Sequence, residues 1–93
     1  MAPTKKIAEL KESFRSELKE TLISMLQLID TKTEIEDSYI KRAKTSTEGL
    51  IEITKMEEDS EKRIIFQGLL RILKSRKLEQ KETELRTVLE LLG

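Results

Sequence analysis

Between residues 7 and 29, Ile7, Leu10, Phe14, Leu18, Leu22, Met25 and Ile29 recur at steps of three or four. Steps of that size return a side chain to the same side of an α-helix, so these residues form one apolar stripe. A half-buried strand would instead alternate in steps of two. The only proline, Pro3, stands before the stripe, and the helix is expected to begin near Thr4. Glycine occurs only at 49, 68 and 93, and the rest of the chain is rich in Glu, Lys, Leu and Arg, all good helix formers. The fold class that follows is all-α: two to four long amphipathic helices forming a helical bundle or a coiled-coil assembly. Its 93 residues allow a single helical assembly domain, 1–93.

The steps from Phe14 to Leu18 to Leu22 depart from a pure heptad, which fits a stutter in a supercoil or the wider apolar face of a bundle helix. Thr31 and Glu34 have capping-box spacing, yet a heptad register carries on through Lys32, Glu36, Tyr39, Ala43, Ser46, Leu50 and Ile53. A continuous helix is therefore preferred to a break at Thr31. The better place for a turn is 45–49, "TSTEG", where hydroxyl residues that compete with helical hydrogen bonding precede a glycine. In the acidic run 57–62, the pairs Glu58–Lys62 and Asp59–Arg63 would carry a helix straight through. Asp59 or Ser60 could instead cap a new helix there. At the end, Leu78, Leu85 and Leu92, with Val88 and Leu89 between, repeat for only two heptads.

The densest apolar stretch is "IIFQGLLRILKSRK", residues 64–77. On one helix Ile65, Leu69, Ile72 and Leu73 share a face that Phe66 and Leu70 widen, while Arg71, Lys74, Arg76, Lys77 and Lys81 lie around its edge and back. Burial between helices is the reading preferred, with Gly68 permitting close approach. Long basic side chains then simply cover the flank of the stripe. Binding to a membrane surface is opposed by the absence of tryptophan and by Glu79, Glu82 and Glu84 just downstream. Nucleic-acid binding is opposed by the scarcity of aromatic side chains on which bases could stack.

Little points to catalysis. The chain has no cysteine and no histidine, which excludes disulfides, thiolate chemistry and the commonest metal ligand. Glycines are too sparse for a phosphate-cradling loop. Glu48 with Glu52, and Glu57 with Glu61, have the spacing of paired carboxylates on one helix face. An acidic solvated face explains them better than a cation site. Tyr39 reads as an amphipathic contact. No catalytic residue, cofactor or metal is expected. Eighteen basic and eighteen acidic residues cancel, so no overall field would gather nucleic acid. The start of the chain carries no apolar run of signal-peptide length, and no stretch has the length of a membrane span. The expected location is intracellular, cytoplasmic rather than nuclear.

With 37% hydrophobic against 39% charged residues, a chain this short has little apolar area to set against its conformational entropy. Association supplies the missing burial. The function expected is that of a non-enzymatic oligomerisation or scaffold subunit, with itself or another helical protein as partner. Its candidate interface residues are Leu18, Leu22, Met25, Ile29, Leu50, Ile53, Ile65, Leu69, Ile72, Leu73, Leu85 and Leu89. The alternative is a regulatory or adaptor module that binds an anionic membrane surface or nucleic acid through Arg71, Lys74, Arg76, Lys77 and Lys81.

Overall fold

A computed structural model describes the backbone of residues 2–75 and 77–93, and the side chains of residues 6–75 and 77–93. Four α-helices account for most of it: α1 (Ala2–Asp30), α2 (Asp37–Met56), α3 (Ser60–Ser75) and α4 (Glu82–Leu92). A 3-10 turn, Leu78–Lys81, leads into α4, and no strand occurs among the described residues. The chain is an all-α helical bundle. α1 packs on α2 and α4, and α3 packs on the same two, so α1 and α3 sit diagonally across the bundle. At 1.5 Å per residue the 29 residues of α1 span about 44 Å, close to the 48 Å long axis of the molecule. α2 is shorter, and Glu57 at its end meets Lys11, so the first turns of α1 reach past the rest of the bundle.

The helix preferred across residues 30–36 is interrupted instead. Lys32 has φ 56°, and the amides of Lys32 and Thr33 donate to the carbonyls of Ile29 and Leu28 at 3.0 and 2.8 Å. That is a Schellman ending, which closes the last carbonyls of a helix by one left-handed residue. Thr31 does not act as a forward cap, because its hydroxyl donates back to Gln27 and Leu28 of α1. α2 ends the same way. Glu58 has φ 57°, and the amides of Glu58 and Asp59 donate to Lys55 and Thr54 at 3.2 and 3.0 Å. Asp59 then caps α3, its Oδ1 accepting the Lys62 amide at 3.2 Å. The acidic run is therefore a turn with a cap, not a through-going helix.

The turn expected at 45–49 is absent, since α2 passes through it unbroken. The hydroxyls there supplement the helix. Thr47 Oγ1 donates to the Ala43 carbonyl at 2.7 Å, satisfying the side chain within its own helix, and Ser46 and Thr47 are buried. Gly49 serves packing: a Cβ built on it would lie 2.6 Å from two atoms of the Phe14 ring. The ring of α1 therefore rests directly on the backbone of α2.

The core draws on every helix. Leu18, Leu22, Met25 and Leu26 come from α1, Ile40, Ala43, Leu50 and Ile51 from α2, Phe66, Leu69 and Leu73 from α3, and Leu85, Val88 and Leu92 from α4. Leu78, also buried, pins the joint between α3 and α4. α3 stops before it, at Ser75, whose hydroxyl donates to the Ile72 carbonyl at 2.8 Å. α4 has no basic residue in its own last turn. α1 supplies the cations: Arg15 Nη1 donates to the Leu92 carbonyl and Lys19 Nζ to that of Gly93. Positive charge at a helix C-terminus is favourable there.

Candidate functional site

Most of the side chains expected to meet a partner are occupied within the chain. Leu18, Leu22, Met25, Leu50, Ile53, Leu69, Leu73 and Leu85 are buried, and Ile29, Ile72 and Leu89 are half-buried against the core. Ile65 is the exception, 36% exposed. The inward face of α3 is centred on Phe66, Leu69 and Leu73, about one helical step away from Ile65, so Ile65 turns toward solvent. The chain thus closes a core of its own, and any contact surface must be sought among what remains outside.

Large apolar side chains remain exposed at Leu10, Ile23, Met56, Ile64, Ile65 and Leu91, with Ile64 the most open at 66%. Three of the surface grooves lie along seams between helices. The first, of about 500 Å³ between α1 and α2, is lined by Ser13, Phe14, Glu17, Ser38, Lys41, Arg42, Thr45 and Ser46. The Arg42 guanidinium crosses it to Glu17, with Nε donating to Oε1 at 2.8 Å. The second, of about 550 Å³, lies where α1 overhangs the end of α2, beside Ile7, Ala8 and Met56. It is bridged by Lys11 and Glu57 at 3.0 Å. Both are already spanned by ion pairs.

The third groove differs. It holds about 200 Å³ between α3 and α4 and is lined by Ile65, Gly68, Leu69, Ile72, Glu84, Thr87 and Val88. No ion pair crosses it among the described residues. A Cβ on Gly68 would meet nothing within 4 Å. The expectation that Gly68 lets two helices of this chain approach closely is therefore corrected. The space beside it is open.

The basic residues do not share a helix as expected. Arg71 and Lys74 are exposed on the last turns of α3, and Lys77 lies in the joint. Lys81 belongs to the 3-10 turn, its Nζ 3.8 Å from Glu84. Arg76 lies outside the described residues. The break after Ser75 scatters the run and sets Glu79, Glu82 and Glu84 among its members.

Neither carboxylate pair forms a site. Glu52 faces Lys55 at 3.1 Å, and Glu57 and Glu61 stand on either side of the α2–α3 turn. Among the described residues no group of three or more His, Cys, Asp or Glu side chains is placed to hold a metal ion. Tyr39 packs half-buried against the core. The carboxyl of Glu12 is held below the ordinary glutamate range, first by its hydrogen bond from Arg15, and the Arg15 guanidinium is correspondingly raised. Glu12 is exposed and Arg15 half-buried, and their pairing braces the guanidinium that caps α4. No described helix is long and apolar enough to cross a membrane. The chain matches no protein-family model, no curated protein and no solved structure.

Proposed function

We propose that this chain is a non-enzymatic helical assembly subunit that works by presenting an apolar helical face to another protein surface. One observation supports the reading above the rest. The chain buries a complete core, yet leaves Ile65 exposed on the rim of an apolar groove between α3 and α4, with Ile64 and Leu91 exposed on the same two helices. Scattered single apolar residues on a surface are ordinary, whereas several on two neighbouring helices with an apolar groove between them support a contact site. The partner class is helical protein, the chain itself included, and cytoplasmic residence belongs to the same proposal.

The test is the native mass of the chain in extracts of the cells that make it. Assembly predicts a particle well above the 10.8 kDa of a single chain. Elution at the size of the free chain, with its 13.3 Å radius of gyration, overturns the reading.

A further inference from the structure

We propose that the α3–α4 groove is the interface of a two-fold homodimer, in which α3 of each copy lies along α4 of the other. The inference rests on the assembly reading above and names the partner as a second copy of this chain.

The argument comes from register. α3 and α4 run antiparallel, and Lys62 and Phe66 share a small cavity with Leu91 and Leu92, which sets Ile64 at about the level of Leu91. Ile72 and Glu84 line the far end of the groove together. One outward row on α3 is Ile64, Gly68 and Arg71, at steps of four and three. The row on α4, read in the opposite direction, is Leu91, Thr87 and Glu84, again at steps of four and three. Both rows therefore climb the bundle at the same rate.

A two-fold axis parallel to the groove exchanges the positions of the two helices and keeps each residue at its level. It sets Ile64 on Leu91 of the second copy, Gly68 opposite its Thr87, and Arg71 opposite its Glu84. Each match is chemically complementary: apolar on apolar, a missing side chain against a β-branched one, a cation against a carboxylate. The pairing also gives Gly68 a role that no contact within the chain provides. A mid-helix glycine is less favourable than alanine, and inside a single copy nothing occupies the space it leaves.

The footprint sets the strength. Two helices side by side over the 11 residues of α4 cover about 16 Å by about 20 Å, or roughly 650 Å² counted over both copies. That is below the standard size of specific interfaces, so the dimer should be weak and readily dissociable, with a Kd on the order of 100 µM.

Sedimentation equilibrium between about 5 µM and about 1 mM brackets that Kd. The wild-type mass should rise from one chain toward two. Arg71→Glu and Glu84→Arg should each weaken dimerisation by about tenfold or more, because each sets like charges against each other at both symmetric positions. An equimolar mixture of the two variants should recover it, since every reversed charge then meets its opposite. Ile64→Glu and Leu91→Lys form a second such set, alone defective and together restored. It serves if Glu84→Arg loses its fold beside Lys81, which circular dichroism would show. A wild-type chain that stays monomeric throughout overturns the homodimer. If its native mass in extracts is nevertheless large, the assembly reading stands with a different partner. A wild-type dimer indifferent to all four substitutions, or mixtures that fail to recover, overturns this face.

Discussion

Two glycines, nineteen residues apart, sit in opposite surroundings. Gly49 lies beneath the Phe14 ring, at a distance where a Cβ could not fit without displacement. Gly68 faces open space beside a groove. The first belongs to a finished interface: α1 and α2 are in close contact there, with buried hydroxyls satisfied by carbonyls of their own helix. The second lines a groove that the chain leaves open on its outer side. The same residue, equally unfavourable for a helix in both places, thus marks where two helices have met and where a surface is still without a neighbour.

Substitutions can break or sharpen that contrast. Leu69→Lys should have the largest effect. Leu69 is 1% exposed beneath the groove, so an unpaired ammonium there should cost about 3–5 kcal/mol and unfold the chain at any concentration. Loss of dimer with the fold retained would show that the core beneath the groove is looser than described. Gly49→Ala should destabilise by about 1–3 kcal/mol, as overpacking does when a ring must move. In a thermal melt, Phe14→Ala in the same chain should remove most of that penalty. Gly68→Ala should have the opposite sign, a gain of about 1 kcal/mol from helix propensity, read at concentrations where the chain is monomeric. A loss there would mean the space is not open.

The smallest effect belongs to Glu12. Its carboxyl titrates below the ordinary glutamate value because Arg15 donates to it. A lowered folded-state pKa gives stability that is present above the unfolded value and lost as pH falls through the folded one. Because the pair is solvent-screened, Glu12→Gln should lower the melting temperature only slightly near neutrality, and even that difference should vanish once the pH has fallen below the lowered folded-state value. A large change at neutral pH would mean that the brace on Arg15 matters more than an exposed pair should.

Much of the bundle was legible in the apolar stripes. Leu18, Leu22 and Met25 line the core as their spacing requires, and the register through Ala43, Ser46, Leu50 and Ile53 is the buried seam of α2. The helix ends were not legible. Both Schellman endings place a charged residue, Lys32 and Glu58, where glycine or asparagine is the ordinary signal, so nothing in the composition marked them. Their stability comes from the pairing of the helices they join. At "TSTEG" the local preference for a turn was overridden, since residues small enough to compete with a helix were also small enough to let α1 approach. The groove was half legible. The apolar density of residues 64–73 was plain, but which of those side chains turn inward depends on α4, which lies beyond the joint at Leu78 and had only a weak repeat to announce it.

The clasp of Arg15 and Lys19 on the last carbonyls of α4 has a kinetic side. Those contacts join residues more than seventy positions apart in the chain, whereas α1 and α2 meet across a short turn. Closing a long loop costs entropy that only the finished contact returns. α4 is therefore expected to dock after the first three helices have paired, and to be the first element to let go. In native-state hydrogen exchange its amides should open at a lower free energy than those of α2, with both groups sharing one global value only if the bundle unfolds as a single unit. The residues that seal the bundle are also its release point, at the same helix that forms one wall of the outer groove.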